Sequence, residues 1–170
     1  ADLGPGTYRL FVQDSSGCRK NIDFEIFSPD SLKAEVLLER PDCYGAANGA
    51  IEVFTEGGLG EYRIEWQDDS LAGFSRDQLK GGLYGFQIDD RNNCSRSRVL
   101  ELKEPDSLSV SWNLTGESCP GNRDGPIVLN ISGGTGSYSA IWQNGSVAME
   151  LRNLPASRQR VLIFDKNACL

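Results

Sequence analysis

The sequence predicts an all-β fold made of antiparallel β-sandwich modules arranged end to end. Three observations predict it: apolar and polar residues alternate in short runs, clusters of glycine, asparagine and aspartate separate these runs, and the pattern recurs about every 76 residues. Alternation of this kind places one set of side chains on a buried face and the other set in water. Short strands between regularly spaced turn signals are typical of antiparallel sandwiches.

The cysteines mark the repeat most clearly, because they recur in two series at an almost constant spacing. The spacings are 76 and 75 residues in the series that we call the late cysteines, and 76 residues in the series that we call the early cysteines. The late cysteines are Cys18, Cys94 and Cys169, and the early cysteines are Cys43 and Cys119. A fixed period of this length indicates an array of similar modules, which supplies length and surface more often than chemistry.

The period divides the chain into one complete repeat and two partial repeats. Residues 1–28 are predicted to end a first repeat, residues 29–104 to form a complete second repeat, and residues 105–170 to form a third repeat that lacks its last strand. We therefore expect the sequence to be a segment of a longer polypeptide. A repeat of this size is near the lower limit for an autonomous domain, so a covalent cross-link is expected to support its core.

The predicted strands follow in order along the chain. Alternation runs through residues 8–12 in the first repeat, through 50–54, 62–66 and 84–88 in the second, and through 127–131 and 138–142 in the third. Pro29 and Pro105 begin the second and third repeats, where a residue without an amide donor suits the joint between two strands. Six or seven strands in two facing sheets are expected in each repeat.

The tryptophans are predicted to lie mostly in the core. Trp66 and its counterpart Trp142 follow the buried phase of alternating strands, as does Tyr62, so we expect them to fill the space between the sheets. A sugar-stacking platform is the alternative interpretation of these aromatics. Trp112 stands where the second repeat has Val36. We expect it to be buried too, and exposure of this tryptophan is the alternative.

Charge and residue content argue against several function classes. The formal net charge is −7, from 24 acidic and 17 basic residues, whereas nucleic-acid binding needs clustered lysine and arginine. The chain has no histidine, no phosphate-binding glycine loop and no dinucleotide fingerprint. We expect no enzymatic activity and no cofactor. No apolar run approaches the ~18 residues of a membrane span, so this segment is not expected to cross a membrane.

An acidic turn precedes each late cysteine, at residues 89–93 and in the turns of Asp14 and Asp165. Such oxygen-rich turns could bind calcium, but the dense alternating aspartates of a dedicated calcium loop are missing. Each aspartate is therefore expected to cap its own turn through local hydrogen bonds. No metal site is predicted, and calcium binding is kept as the alternative.

The order of the motifs resembles the SprB-type repeat. Each unit reads Cys-x-Gly-x-x-Asn-Gly-x-Ile, then Gly-Gly-x-Gly-x-Tyr and a tryptophan, then Leu-x-x-Gly-x-Tyr, Asp-x-x-x-Cys and Glu-Pro-x-x-Leu. The anchors in the second repeat and at its end are Cys43, Gly45, Asn48, Gly49, Ile51, Gly57, Gly58, Gly60, Tyr62, Trp66, Leu79, Gly82, Tyr84, Asp90, Cys94, Glu104, Pro105 and Leu108. Local departures are Asn93 and Ala168, where the family usually has glycine, and residues 155–159, which replace Gly-x-Tyr and predict a looser strand there.

The resemblance implies immunoglobulin-like (Ig-like) or PKD-like sandwiches in very large, repetitive surface adhesins of Bacteroidetes. Such adhesins are exported by the type IX secretion system and, in gliding species, move along the cell surface. The chain would then be a stalk or filament segment at the cell surface. Its partners would be neighbouring repeats of the same chain and an extracellular polysaccharide or surface ligand. The alternative is a set of accessory or carbohydrate-binding modules of a secreted multidomain enzyme.

Disulfides in an oxidising compartment are predicted from the phased cysteines. Pairing within a repeat would join Cys43 to Cys94 and Cys119 to Cys169, and would leave Cys18 for a partner upstream. A rival register joins Cys18 to Cys43 and Cys94 to Cys119 across the repeat boundaries. An extended joint would separate those pairs by more than the ~7 Å between Cα atoms that a disulfide allows, which favours pairing within a repeat. Free thiols are the third alternative.

Three serines are candidate O-glycosylation sites. Ser31, Ser70 and Ser107 each follow an aspartate and precede a leucine. This Asp-Ser-Leu sequence resembles the Asp-Ser/Thr-apolar sequon that Bacteroidetes use on exported proteins. Glycans at Ser31 and Ser107 would lie at the joints between repeats.

Overall fold

The computed structural model describes residues 2–68, 73–119, 121–122, 124–154 and 157–170. These residues form thirteen β-strands and no helix, in five antiparallel sheets. The predicted all-β fold is therefore confirmed. Every sheet draws its strands from only one of the three predicted repeats. The domain boundaries and the end-to-end arrangement of the modules stay predictions.

The first repeat contributes a single hairpin. Its strands are β1 (Gly6–Gln13) and β2 (Arg19–Ile26), which pair along their whole length. Within the described residues no second sheet covers this hairpin, and most of its side chains are exposed. Tyr8 and Phe24 stack across the two strands, with their ring centroids 5.6 Å apart.

The second repeat is a sandwich of two three-stranded sheets. Its strands are β3 (Lys33–Glu39), β4 (Gly49–Glu56), β5 (Arg63–Trp66), β6 (Ser75–Leu79), β7 (Gly82–Asp89) and β8 (Ser95–Leu102). One sheet has the order β3-β4-β6 and the other has the order β5-β7-β8. The buried core takes side chains from both sheets, as expected for facing layers: Ile51, Val53, Ile64, Trp66, Leu79, Phe86, Ile88, Leu100 and Leu102.

The third repeat has the same two layers with five described strands. These are β9 (Asp106–Leu114), β10 (Gly125–Gly134), β11 (Ser139–Trp142), β12 (Glu150–Leu154) and β13 (Val161–Phe164). The sheets have the orders β12-β10-β9 and β11-β13, and the buried core consists of Leu129, Ala140 and Trp142. β13 has four residues where its counterpart β7 has eight, so the strand after the predicted departure at 155–159 is short. Residues 155 and 156 of that departure lie outside the described residues.

The two ends of the second repeat are defined by its strand directions. β4 begins at Gly49, opposite Leu79, and ends at Glu56. β5 runs from the far end only to the middle of β7, and β6 runs from the middle of β4 back to Gly49. Together, these two half-length strands therefore carry the chain once along the length of the sandwich, from the Glu56 end back to the Gly49 end. The loop before β4 and the turn between β7 and β8 consequently lie at opposite ends of the repeat.

The joint residues pack on the Gly-Gly-x-Gly loop of their own repeat. Gly57 has a φ of 75°, and a Cβ atom there would clash with the Ser31 carbonyl oxygen. The next amide, from Gly58, donates a hydrogen bond of 2.7 Å to the Asp30 carbonyl. Gly133 repeats this arrangement against Ser107. Only glycine combines this left-handed backbone with so close an approach, which explains the motif.

The aromatic predictions are confirmed for Trp66 and Trp142. Trp66 and Trp142 are buried, and their indole N–H groups donate to the carbonyl oxygens of Gly73 (2.9 Å) and Ala148 (2.8 Å). Tyr62 packs against the same core. The expected burial of Trp112 is wrong: it is 61% exposed, because no described strand covers that side of the third-repeat core. Among the described residues no helix is long and apolar enough to span a bilayer.

Candidate functional site

The most distinctive site is a disulfide between two repeats. Cys43, in the loop between β3 and β4, is bonded to Cys169, which follows β13. Their Cα atoms are 5.6 Å apart, and 126 residues separate them in sequence. Within the described part of the chain, Cys18, Cys94 and Cys119 are exposed free thiols. The bond therefore joins an early cysteine to the late cysteine of the following repeat.

The predicted pairing within a repeat is wrong. Cys43 lies at the Gly49 end of the second repeat, where the Gly45 amide donates 2.9 Å to the Glu104 carboxylate. Cys94 lies at the other end, immediately before β8. The eight residues of β8 span about 26 Å between these ends. That distance far exceeds the ~7 Å that a disulfide tolerates between Cα atoms.

The rival register is also wrong. It would need the strands on either side of a joint to fold back on each other as a hairpin. Instead β8 pairs with β7, and β9 pairs with β10 in another sheet. Cys94 and Cys119 are therefore not brought together, and neither are Cys18 and Cys43.

Each late cysteine sits in a turn that an aspartate holds in place. The Oδ1 atom of Asp165 accepts hydrogen bonds from the amides of Asn167 (2.9 Å) and Cys169 (3.0 Å). Its Oδ2 atom accepts from the amide and the hydroxyl of Thr135, both at 2.8 Å. Burial alone would raise the pKa of Asp165, but these hydrogen bonds outweigh it and hold that pKa below its ordinary value.

The other two late turns have the same geometry. Asp90 Oδ1 accepts from the amide of Cys94 at 2.9 Å, and Asp14 Oδ1 accepts from the amide of Cys18 at 2.9 Å. A hydrogen bond from the Cys94 amide, together with one from the Leu59 amide to Oδ2, holds the pKa of Asp90 low despite its burial. The prediction that each aspartate caps its own turn is thus confirmed. Backbone donors already engage both oxygens of Asp90 that a calcium ion would need.

The residue before each late cysteine has a left-handed backbone. The φ angles are 90° at Gly17, 60° at Asn93 and 61° at Ala168. Glycine adopts this conformation freely and asparagine tolerates it, whereas alanine is strained there. This explains why glycine is usual at the position.

The early cysteines also share one local structure. The Cys43 carbonyl accepts from the Ala46 amide at 3.1 Å, and the Cys119 carbonyl accepts from the Asn122 amide at 3.1 Å. The residue before each early cysteine donates its backbone amide to a side-chain oxygen six residues further on. The Asp42 amide donates to Asn48 Oδ1 at 3.1 Å, and the Ser118 amide donates to Asp124 Oδ1 at 2.9 Å. Gly45 and Gly121 both have positive φ.

Further contacts surround the bonded pair. The Asn167 side chain donates a hydrogen bond of 3.0 Å to the Asp42 carbonyl, beside the disulfide. A cavity of about 310 Å³ opens there, between the early loop of the second repeat and the start of the third. Tyr44, Ser107 and Leu108 are among the residues that line it. The disulfide is therefore part of a wider contact between the two repeats.

The free thiol of Cys94 is held in its protonated form. The negative charge of Asp90, local desolvation and a hydrogen bond to that carboxylate together raise the pKa of the exposed Cys94 thiol. Because the thiolate is the reactive species, a raised pKa makes this thiol a poor nucleophile.

A larger apolar cavity lies in the third repeat. It measures about 500 Å³, and Trp112, Leu114 and Trp142 are among its lining residues. In the second repeat Leu100 and Leu102 of β8 complete the core. No described strand lies beside β13 in the way that β8 lies beside β7. The cavity and the exposure of Trp112 therefore mark an uncovered core face. Trp66 and Trp142 are buried and so do not present the exposed ring faces that a sugar platform needs.

The candidate glycosylation serines are only partly described. Ser31 and Ser107 are exposed, and each follows a joint proline by two residues. Ser70 lies outside the described residues. Glycosylation at all three serines stays a prediction.

This fold and its periodic cysteine sites define a tandem β-sandwich repeat protein. The SprB repeat family matches residues 113–147, within the third repeat, and this match confirms the resemblance to SprB-type repeats. The family is associated with cell-surface proteins, and the disulfide favours an extracellular location. A comparison with curated proteins finds no match.

The sequence alone did not reveal which cysteines meet. The period shows that the early cysteines are equivalent to one another, as are the late cysteines. Bonds within a repeat and bonds to the next repeat would both recur once per repeat, so the period cannot distinguish them. The missing signal was the half length of β5 and β6, which places the two cysteines of a repeat at opposite ends.

Proposed function

We propose that this chain is a stalk or filament segment of a very large, repetitive cell-surface adhesin. Export by the type IX secretion system and a role in gliding motility are part of this proposal. The observation that carries it is the Cys43–Cys169 bond, which ties two β-sandwich repeats together at their joint. A covalent tie between modules suits a protein that must transmit force along its length.

A structural role, without catalysis, is part of the same proposal. The acidic groups that recur in the repeat are engaged in holding turns: Asp90 and Asp165 accept backbone hydrogen bonds and are buried. The SprB match and the disulfide support placement of the segment outside the cell. Partners would be neighbouring repeats and an extracellular polysaccharide or surface ligand.

Glycosylation of Ser31 and Ser107 would fit such a stalk. Both side chains are exposed next to a joint, where a glycan would shield the connection between repeats from proteases. Intact mass measurement of the protein from its native host, with Ser31→Ala and Ser107→Ala variants, tests this. Loss of a sugar mass with either substitution is the expected result.

Electron microscopy of the purified parent protein tests the proposed function. We expect a long, thin fibre with a bead for each repeat, many copies in number. A compact particle, or a few repeats attached to a catalytic domain, would instead indicate accessory modules of a secreted enzyme. A glycan array with the 170-residue chain separates the two further, because a carbohydrate-binding module should retain a defined sugar.

A further inference from the structure

We propose that the Cys43–Cys169 bond is one instance of a periodic cross-link, in which the early cysteine of every repeat bonds the late cysteine of the next. This inference rests on the proposed function, because it needs an array of repeats longer than the three seen here. It assigns a partner to each free cysteine: a cysteine of a neighbouring repeat. The array would then be cross-linked at every joint.

The local structure around each of the two bonded cysteines recurs around the other cysteines of the same series. All three late cysteines have an amide bonded to the Oδ1 atom of the aspartate four residues earlier, at 2.9–3.0 Å. Both early cysteines close a turn with an amide three residues later, at 3.1 Å. The free cysteines therefore already present the backbone geometry of the bonded pair. Only the partner repeat is missing at each of them.

The positions of the free thiols agree with a shift of the bond by one repeat. Cys94 lies at the end of the second repeat that carries the Asp30–Ser31 joint, because Gly58 contacts both Asp90 and Asp30. Cys169 occupies the same place beside the joint at Asp106. The early loop of a preceding repeat would thus meet Cys94 as Cys43 meets Cys169. By the same shift, Cys119 would meet the late cysteine of a following repeat.

The chemistry of each bond is an ordinary thiol oxidation. Two thiols lose two protons and two electrons as the S–S bond forms. A protein or small-molecule disulfide accepts them and is reduced to two thiols. An oxidising extracellular compartment supplies such an acceptor.

Periodic bonds of this kind would shorten the length of chain that can extend when the array is pulled. From a late cysteine to the next early cysteine is only 25 residues, as from Cys18 to Cys43 and from Cys94 to Cys119. A bond of the observed type then leads directly to the late cysteine of the following repeat. One stretch of 25 residues and one disulfide would therefore connect a late cysteine to the late cysteine two repeats further on, and a tensile load on the array would follow this connection. The remaining residues would carry no load.

That short path is already extended in the folded state. Between Cys94 and Cys119 it consists mostly of β8 and β9, with 8 and 9 residues. Strands rise about 3.3 Å per residue, and no chain can exceed about 3.6 Å per residue. The fibre would thus resist extension until a disulfide breaks, whereas uncross-linked sandwiches lengthen when they unfold. A fibre pulled by a moving cell surface would keep its length.

One experiment tests the periodicity directly. A chain with a second copy of residues 29–104 inserted after Glu104 is oxidised, alkylated and mapped by mass spectrometry without reduction. The second copy carries Ala47→Ser and Ser95→Thr, so that its Cys43 and Cys94 peptides differ in mass from those of the first copy. We expect Cys43 of the first copy bonded to Cys94 of the second, and Cys43 of the second copy bonded to Cys169. Cys18, Cys94 of the first copy and Cys119 should be alkylated. Any bond within one copy, or a free Cys43 in either copy, would overturn the proposal.

Single-molecule stretching of the 170-residue chain by its two ends tests the load path. With the bond intact, only residues 1–43 and 169–170 can lengthen. Reduction, or Cys43→Ser, should release the further 126 residues, roughly 420–450 Å. Cys119→Ser is the matched control and should leave the oxidised length unchanged. Equal lengths before and after reduction would refute the load path, whereas a beaded fibre in the microscope would still support the stalk.

Discussion

The residue before a late cysteine must adopt a left-handed backbone, and the repeats differ in how well they meet this demand. Ala168 has a φ of 61° with a Cβ atom, which costs about 1–2 kcal/mol relative to glycine. We expect Ala168→Gly to stabilise the third repeat by about 1 kcal/mol, measured by urea unfolding under oxidising conditions. Asn93→Gly is the control and should gain less, because asparagine tolerates this conformation. An equal or larger gain at Asn93 would contradict this explanation.

The buried aspartates predict how stability changes with acid. Asp90 and Asp165 have folded-state pKa values below 3.8, their ordinary value. Their stabilising contribution is therefore complete above about pH 4 and is lost as the pH falls through the folded-state pKa. Urea midpoints measured from neutral pH downward should drop steeply below about pH 4. Asp165→Asn should be less stable at neutral pH and should show a shallower drop in acid; an unchanged drop would show that this carboxylate is not responsible.

Among the elements, the joint and the Gly-Gly-x-Gly loop provide a matched pair of glycines. Gly57 and Gly60 have φ angles of 75° and 73°, but only Gly57 faces a neighbouring carbonyl, that of Ser31. Alanine at either position should cost about 1–2 kcal/mol for the backbone. Gly57→Ala should cost at least about 1 kcal/mol more, because its Cβ atom forces the joint away. Equal urea midpoints for the two variants would mean that the contact at the joint is unimportant.

Strand β8 should be essential for the second repeat, whereas its counterpart β2 is not. Leu100 is 6% exposed in the core, and Phe24, at the equivalent place in β2, is 41% exposed. We expect Leu100→Ala to lower the free energy of opening β7 by about 2–5 kcal/mol, measured by hydrogen exchange of its amides. Phe24→Ala should leave the exchange of β7 unchanged. Faster exchange of β7 in that variant would indicate that the hairpin supports the second repeat.

The strands themselves were largely predictable, because alternation is a local signal. Residues 50–54 and 84–88 alternate and lie in β4 and β7, and Trp66 is buried as its phase predicts. The half length of β5 and β6 was not predictable, since it depends on how far each pairs with its neighbours. The same is true of Arg76, whose guanidinium lies 4.9 Å from the Trp66 ring centroid and 5.4 Å from that of Tyr84. Such contacts form only when the two sheets pack together, so the spacing of residues in the sequence does not predict them.

At the scale of the whole molecule, the disulfide follows from the strand directions. The early and late cysteines of one repeat lie at opposite ends of its sandwich, so neither can reach the other. The end that carries Cys43 continues through Pro105 into the end of the third repeat that carries Cys169. The cysteine therefore finds its partner across the joint. Exposed ion pairs such as Arg9–Asp23 add little to this arrangement.

Non-reducing peptide mapping of the oxidised 170-residue chain tests this account most directly. The free thiols are alkylated before digestion, so that each cysteine is recovered either modified or cross-linked. We expect one linked pair of peptides, containing Cys43 and Cys169, and alkylated Cys18, Cys94 and Cys119. Peptides that link Cys43 to Cys94, or Cys119 to Cys169, would contradict the account, because they would place both cysteines of a repeat at the same end.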